Sequence, residues 1–258
     1  MPSYLIDTHC HLHDREFFTD AQAEKMLKRA HEKGVEKIIC IGTSHEDSLA
    51  ARDFAACHDD VYWTYGIHPE HASVAEVLTK PIFSSSGLES PIAIGEVGLD
   101  YHYDGHNREA QIRLFEQMLQ LAVDNDLPVS FHVREAFEDF FPVVANFPGV
   151  RGVVHSFSDN KKNLKRILET TDFYVGVNGM ATYSTLPTPP LDRILLETDA
   201  PFLTPVPFRG IINECGYIFE IAQWLSQKLA VDFNQIKRET TKNAEELFKF
   251  ESVSASKP

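Results

Sequence analysis

Several features that define other protein classes are scarce in this sequence of 258 residues. The four cysteines are scattered without a CxxC pair, which argues against a disulfide scaffold and against a thiolate zinc site. No apolar run approaches the roughly 20 residues that cross a bilayer, and Asp7 and His9 stand where a secretory peptide needs an apolar core. We therefore expect a cytoplasmic protein that is not inserted in a membrane.

Positive charge is also scarce. The 24 lysines and arginines are outnumbered by 38 aspartates and glutamates, which gives a formal net charge of −14. Proteins that hold long duplex nucleic acid usually carry a basic stripe, whereas this chain has only short basic clusters such as 161–162 and 165–166. The charge argues against tight duplex binding, but bound cations can reverse the local sign and attract a phosphate. Phosphodiester chemistry therefore stays open.

Eight short apolar segments resemble strands that are buried on both faces, because they lack the polar alternation of half-exposed strands. They cover residues 4–11, 35–42, 61–66, 91–97, 128–132, 150–155, 173–177 and 193–199. Amphipathic stretches separate most of them; in residues 107–126, apolar positions follow helical spacing behind a candidate cap at Asn107. This order predicts alternating strands and helices.

Eight such units in 258 residues predict a (β/α)8 TIM barrel of the α/β class, whose usual length is about 250 residues. The alternative is an open doubly wound sheet, in which ligands gather at a switch point between strands. Polar side chains end five of the candidate strands, and a closed barrel brings all of those ends to one mouth, so we favour the barrel. We expect one domain over residues 1–250 and a disordered tail at 251–258.

The connection between the seventh and eighth strands is unusually short for a barrel. Only 15 residues separate Val177 from Arg193, and three of the residues between positions 187 and 190 are prolines, which block a helix interior. The sequence predicts that the helix expected here is absent or reduced to one turn. The exposed strand surface would then be covered by another subunit or by Met180, Tyr183 and Leu186.

The sharpest single motif closes the first candidate strand. The two-residue period of a strand would place Asp7, His9 and His11 on one face. Imidazole and carboxylate groups together suit borderline divalent ions, and enough of them for two ions indicates hydrolysis by metal-activated water. The competing interpretation is that both histidines only cap the strand or form hydrogen bonds within a loop.

Four further strand ends carry candidate ligands, each with a structural alternative. Glu96 follows an apolar run ending in glycine and could bridge two ions or pair with a buried base. His132 and Arg134 share a strand face, and the arginine could hold a phosphate or a structural acid. His155 alone is typical of a core histidine. Asp199 ends an apolar strand, where its burial requires either a cation or a helix terminus.

The joint order His-x-His, Glu, His, His, Asp resembles that of the TatD family of metal-dependent hydrolases, within the amidohydrolase-like barrels. The resemblance covers nearly the whole chain and is carried by seven motifs, which are Asp7–His11, Gly66–Pro69, Gly95–Tyr101, His132–Arg134, His155–Phe157, Leu196–Pro201 and Thr241–Phe248. It implies a divalent-metal hydrolase, in that family commonly a deoxyribonuclease. The matching ligand positions are His9, His11, Glu96, His132, His155 and Asp199.

We expect two divalent ions, magnesium, manganese or zinc, with imidazole favouring the transition ions. One ion would be held mainly by His9, His11 and Asp199, the other by His132 and His155, with Glu96 as the bridging catalytic carboxylate. Asp199 would act as general base on the attacking water. The substrate would be DNA, single-stranded or with frayed ends. Its expected contacts are His68, Tyr101, Arg134 and Arg209.

Three positions depart from the family pattern. Ile211 stands where a lysine is usual, Cys215 where a proline is usual, and Asp159 where a glycine is typical. The first two weaken the case for a phosphate grip in that loop, whereas the ligand set is unchanged. Two rival functions stay open, because a fold does not fix function. One is a metal hydrolase of a small ester, amide, lactone or phosphoester, and the other is a non-catalytic metal-binding scaffold.

Overall fold

Eight parallel strands form one sheet whose order follows the sequence. The computed structural model describes residues 4–73 and 90–250, so the predicted tail at 251–258 lies outside the described residues. The strands are β1 (Leu5–Cys10), β2 (Val35–Cys40), β3 (Val61–Tyr65), β4 (Ala93–Asp100), β5 (Val129–Arg134), β6 (Gly152–Val154), β7 (Tyr174–Val177) and β8 (Ile194–Leu196). All eight overlap predicted strands, which confirms the (β/α)8 barrel.

Seven α-helices are present in the described ranges. They are α1 (Asp20–Glu32), α2 (His45–Ala55), α3 (Arg108–Asp124), α4 (Phe137–Ala145), α5 (Lys161–Thr170), α6 (Ile218–Leu229) and α7 (Phe233–Phe248). The predicted cap is confirmed, since the Asn107 side chain accepts a hydrogen bond from the Ala110 N–H at the start of α3. No described helix combines the length and the apolar character that a bilayer span requires.

Helix α7 closes the amino-terminal end of the barrel. Alternate strand residues fill the interior, and Ala244, Leu247 and Phe248 of α7 pack in the same buried cluster. The Thr241 hydroxyl donates to the carbonyl of Tyr4 over 2.7 Å. The Asn243 amide donates to the carbonyl of Ile194 over 2.9 Å. The first and last strands are therefore anchored to the same helix.

A bulge interrupts β1 at its functional end. Asp7 pairs with Ile38 and Cys10 with Cys40, so three steps along β1 match two steps along β2. The expectation that Asp7 shares a face with both histidines is wrong for this reason. Its carboxylate instead accepts hydrogen bonds from the N–H and hydroxyl of Thr198, at 2.9 and 2.5 Å.

The seam between β8 and β1 is closed by individual contacts. The Asp199 N–H donates to the carbonyl of His9 over 2.8 Å, and the His11 N–H donates to that of Ala200 over 2.7 Å. The Thr8 hydroxyl adds a bond to the Leu196 carbonyl over 3.0 Å. Three candidate ligands, His9, His11 and Asp199, therefore also join the two edges of the barrel through their backbone.

The short connection after β7 contains no α-helix, as predicted. Residues 178–193 are all described, and they hold only 3-10 turns at Gly179–Thr182 and Leu191–Arg193. The predicted cover is confirmed in part. Leu186 and Trp224 of α6 line a small cavity there, of about 20 Å³, together with Val175 and Val177 of β7. Met180 lines the cavity at the barrel mouth instead, and Tyr183 is exposed.

Candidate metal centre

The structure brings all six predicted ligands together at the carboxyl ends of the strands. An open cavity of about 660 Å³ lies there, and its walls include His11, Glu96, His132, His155 and Asp199. His9 is fully buried beneath the cavity, and its ring stacks on that of His155 with centroids 3.5 Å apart. Five different strands supply the six groups, which is the convergence that a barrel provides and an open sheet does not.

The first expected set is assembled around one carboxylate oxygen. Oδ1 of Asp199 lies 3.6 Å from Nε2 of His9 and 3.5 Å from Nε2 of His11. The two rings reach it from β1 because the bulge turns both toward the barrel axis. The ligand atoms of this trio lie within 4.8 Å of one another, close enough for one ion to touch all three.

Glu96 stands between the two halves of the site. Its Oε2 is 3.5 Å from Nε2 of His9. Its Oε1 is 2.6 Å from Nδ1 of His132 and 3.4 Å from Nε2 of His155. One oxygen therefore faces the first set and the other faces the second, which is the placement that a bridging carboxylate needs.

The second half of the site differs from the expected pairing of His132 with His155. His132 directs Nε2 at Oδ2 of Asp100, 3.0 Å away, and these two residues form a trio with His68. His155 instead forms a trio with His9 and Glu96. Asp100 was absent from the sequence-derived set, although it lies four residues after Glu96 on β4 and the two-residue period places both on one face.

The groups present fit a divalent cation. Nε2 of His9 is buried and has no hydrogen-bond partner among residues 4–73 and 90–250, although it points between oxygens of Glu96 and Asp199. A buried imidazole nitrogen without a partner is costly, and a metal ion would satisfy it. Imidazole with carboxylate is also the donor chemistry of zinc and manganese sites.

The electrostatics of the site also call for positive charge. Burial opposes protonation of His11, but Asp199 and then Glu96 outweigh it and raise the pKa of His11 to about 9. Burial likewise opposes protonation of His132, but Asp100 and Glu96 raise its pKa to about 9. Burial holds the pKa of His68 down at about 3. The carboxylates thus favour cationic partners, and a divalent ion supplies that charge.

A layer of residues behind the ligands fixes their rings. Glu197 is fully buried, and its Oε1 lies 3.2 Å from Nδ1 of His155 while accepting the Ser156 N–H over 2.6 Å. Nδ1 of His11 is 3.1 Å from the carbonyl of Ile41. Such partners orient ligand rings and set their basicity. Glu197 was not among the residues predicted from the sequence, although it stands two residues before Asp199 and ends the same apolar run.

Two of the four expected substrate contacts line the cavity. His68 lies with its Nε2 3.9 Å from Oε1 of Glu96, and Arg134 forms part of the wall. Tyr101, the third expected contact, is not among the lining residues. Its hydroxyl donates to Asp139 over 2.8 Å, and Tyr103 lines the cavity instead. Arg209 is also outside the lining.

Arg209 lies instead on the surface of its loop. Its guanidinium stacks 3.9 Å over the ring of Tyr183 and donates to the carbonyl of Thr204 over 3.0 Å. These contacts hold the side chain away from the cavity wall. Ile211, which replaces the usual lysine of the family pattern, is exposed in the same loop.

Cys215, another departure from the pattern, is fully buried on the outer side of the barrel. Its sulfur, that of Cys10 and a carboxylate oxygen of Asp7 lie within 4.8 Å of one another. Asp7 already accepts two hydrogen bonds from Thr198. This buried group therefore belongs to the packing behind β1 rather than to the open cavity.

Comparisons with known proteins agree with this geometry. The sequence model of the family described as TatD related DNase matches residues 6–249. The metal-dependent hydrolase YabD of Bacillus subtilis is 33% identical over 255 residues, covering 95% of this chain and 99% of the relative. A protein of Erwinia tasmaniensis named 3'-5' ssDNA/RNA exonuclease TatD is 32% identical over 261 residues, covering 95% and 99%.

A solved structure shows the same architecture. The YJJV protein of Escherichia coli K12, described as a TatD homolog, superposes with a TM-score of 0.84 at 27% sequence identity. The superposition covers 97% of this chain and 100% of that protein. The likeness therefore extends over the barrel as a whole.

Proposed function

The chain belongs to the TatD-related DNase family and is a metal-dependent hydrolase, and on that premise we propose that it removes nucleotides from single-stranded nucleic acid. The observation that supports the proposal most directly is the position of Glu96. Its two carboxylate oxygens face separate groups of imidazoles across one open cavity. Two adjacent cation sites suit in-line displacement at phosphorus, because both the attacking and the leaving oxygen need charge neutralisation.

The proposed cofactor is a pair of divalent ions, held by His9, His11, Glu96, His132, His155 and Asp199. Bound ions supply Lewis-acid activation of water and neutralise charge on the phosphate. The geometry adds Asp100 and His68 as candidates around His132. Transition ions are favoured over magnesium because imidazole nitrogens make up most of the set.

Asp199 is the proposed general base. Burial opposes its ionisation, but the interactions with His11, His155 and His9 outweigh burial. The pKa of Asp199 therefore lies below its usual range. The carboxylate is therefore ionised at neutral pH and can accept a proton. It also lines the cavity, where an attacking water can reach it. Glu96 is ionised for the same reason, since its three imidazole neighbours hold its pKa well below normal.

The shape and charge of the cavity favour single strands. Among residues 4–73 and 90–250, Arg134 is its only cationic wall residue besides histidines, whereas Asp14, Asp47, Glu70 and Asp100 also line it. A duplex would bring many phosphates against this acidic rim. A single strand can place one phosphate at the ions and leave its neighbours in solvent. The name of the Erwinia relative supports a strand end as the point of attack, and we propose the 3′ end.

A single assay tests this proposal. Protein saturated with manganese or zinc is incubated with 5′-labelled single-stranded DNA, the matching RNA, a blunt duplex, closed circular duplex and a panel of small esters and lactones. The proposal predicts a descending ladder from the single strands and little cleavage of either duplex. Rapid nicking of the circle would contradict the single-strand preference. Turnover of a lactone or ester without any cleavage of nucleic acid would replace the proposal with the small-molecule alternative.

A further inference from the structure

Exposed apolar side chains are concentrated at the open end of the barrel. Among the described residues, the large hydrophobic side chains with high exposure are Phe17, Tyr103, Val123, Tyr183, Phe202, Val206, Ile211 and Ile212. All except Val123 lie in segments that follow the carboxyl end of β1, β4, β7 or β8. Packing of the core would not by itself place exposed apolar side chains at one end of the barrel. A bound molecule at the barrel mouth is the simplest account of this distribution.

Phe202 is the exposed aromatic residue nearest to the ligands. It lines the cavity, and its ring centroid is 6.1 Å from that of His11. Phe17 packs against its other side with centroids 5.3 Å apart. Both neighbours meet the Phe202 ring at steep angles, 67° and 81°, so neither lies parallel on its face. The side chain remains 47% exposed.

The tyrosines at the mouth are arranged differently. Arg134 stands 5.3 Å from the ring centroid of Tyr103, and Arg209 stands 3.9 Å from that of Tyr183. Each tyrosine ring thus already has a guanidinium partner. Within the described part of the chain Phe202 has no guanidinium partner and is flanked by the rings of Phe17 and His11, which leaves it the better platform for a neutral aromatic ligand.

The backbone that carries Phe202 is tied to the metal centre. Its N–H donates to the carbonyl of Asp199 over 2.8 Å. The buried amide of Asn213 donates to the carbonyls of both Phe202 and Thr198, over 2.6 and 2.8 Å. The backbone at Phe202 is therefore held next to Asp199, which lowers the entropy cost of ordering this segment in a complex.

Charge explains why such a platform would be needed. The chain has a net charge of −14, and in the described part of the cavity wall every charged side chain other than Arg134 and the histidines is acidic. Phosphate contacts beyond the metal centre are therefore few, and they cannot provide the affinity that basic grooves provide. Stacking on a base contributes about 1–3 kcal/mol without requiring positive charge, and it tolerates any sequence.

We propose that Phe202, backed by Phe17, is a stacking site for the nucleobase attached to the nucleotide whose phosphate lies at the metal centre. This inference rests on the proposed function. It explains the preference for single strands, because a base within a duplex is stacked on its neighbours and cannot cover the ring.

Equilibrium binding tests the site separately from catalysis. The probe is a 5′-fluorescein single-stranded DNA of ten thymidines. It is bound to Asp199→Asn protein, which does not consume it, at a manganese concentration at which elemental analysis shows the same metal content as in the unaltered protein. Phe202→Ala and Phe202→Leu in this background should each weaken binding about tenfold or more. Phe202→Trp should keep it, because the aromatic face remains. Val123→Ala removes an equally exposed apolar side chain from α3 and should leave the affinity unchanged.

Abasic oligonucleotides identify the partner of the ring. One abasic residue at a single position near the 3′ end should cost as much affinity as Phe202→Ala, and the two changes together should cost no more than either alone. Any of four results would overturn the proposal. They are Phe202→Leu protein that binds as tightly as protein with Phe202, additive losses from the two changes, no effect of any abasic residue, and no measurable binding of the probe.

The outcomes separate this inference from the proposed function. If binding depends on the base and on Phe202 but the wild-type protein cleaves no nucleic acid, the stacking site is supported and the nuclease function is refuted. If cleavage is normal and neither Phe202→Ala nor an abasic residue affects it, the nuclease function is supported and the stacking site is refuted. Thermal melts of every variant show whether the fold is kept.

Discussion

Glu197 and His155 form a buried pair behind the metal centre. Oε1 of Glu197 lies 3.2 Å from Nδ1 of His155, and Nε2 of the same ring lies 3.4 Å from Glu96. The imidazole is thus held from one side while its other nitrogen faces the cavity. A carboxylate in this position fixes which nitrogen is available to a cation.

We predict that Glu197→Ala weakens binding of at least one divalent ion by about 10- to 100-fold. Glu197→Gln should recover part of the loss, because its carbonyl oxygen can still accept the Ser156 N–H and lie beside Nδ1 of His155. Metal titration against a fluorescent chelator provides the measurement. Unchanged affinity in a folded Glu197→Ala protein would show that the acid only fills space.

A second variant reaches the same pair without altering a charged group. A β-carbon added at Gly176 of β7 would lie well inside contact distance of the Glu197 carboxylate. Because Glu197 is fully buried, it cannot move into solvent. Gly176→Ala should therefore reproduce much of the metal-binding defect of Glu197→Ala, as measured in the same titration.

Asp199→Asn should lower the hydrolysis rate by at least about a hundredfold, since the proton acceptor is lost while the side-chain shape is kept. Circular dichroism should show an unchanged fold. Glu96→Ala should act differently and reduce the number or affinity of bound ions, which elemental analysis after dialysis measures. Rapid turnover by the first variant, or full metal content in the second, would contradict the assigned roles.

Divalent ions should raise the melting temperature. An ion that binds only the folded chain, at 100 times its Kd, adds about 2.7 kcal/mol. For a chain of this length, that corresponds to a shift of roughly 5–10 °C. Calorimetry with manganese and with a chelator gives the comparison. In the His9→Ala and His11→Ala double variant the difference should shrink sharply; an equal shift there would place the stabilising ion elsewhere.

Asp47 should make stability depend on acidity. Burial opposes its ionisation, but hydrogen bonds from His13 and Thr43 outweigh burial and lower its pKa to about 2. A depressed pKa stabilises the fold above the ordinary value of 3.8, and this contribution disappears as the pH falls toward 2. Asp47→Asn should cost about 2 kcal/mol at pH 7 and about half of that at pH 3. Urea unfolding of both proteins at the two pH values tests this, and a difference that grows with acid would contradict it.

Salt should weaken nucleic acid binding only slightly. If two or three phosphates are held, the logarithm of affinity should fall with the logarithm of salt concentration with a slope between about −1.4 and −2.1. The slope is measured by fluorescence anisotropy with single-stranded DNA over a salt range of about 50 to 300 mM. A much steeper slope would reveal a basic binding surface that the cavity does not provide.

The barrel and the meeting of the six candidate ligands at its mouth were predictable, because each rests on a local signal. Buried parallel strands leave continuous apolar runs, and a ligand at a strand end leaves a histidine or acid directly after the run. The three prolines in residues 187–190 likewise disfavour a helix there on local grounds, because each removes an amide donor. These features require no knowledge of contacts distant in sequence.

The parts that were missed depend on long-range geometry. The bulge that turns Asp7 away from His9 arises from the register of β1 against β2, which local alternation does not encode. Tyr101 and Tyr103 are two residues apart, and the contact with Asp139 of α4 decides which of them faces the cavity. Asp100 and Glu197 are different, since the two-residue period could have identified both.

The anchoring of both barrel edges to α7 also bears on the biosynthesis of the protein. Tyr4 bonds with Thr241 and Asp7 with Thr198, so the first strand depends on partners made some 190 to 240 residues later. At about 5–20 residues per second, a ribosome needs roughly 10 to 50 seconds to supply them. Until then His9 and His11 have no Asp199 beside them. A nascent chain therefore cannot assemble the ligand set, or begin hydrolysis, before β8 and α7 have been made.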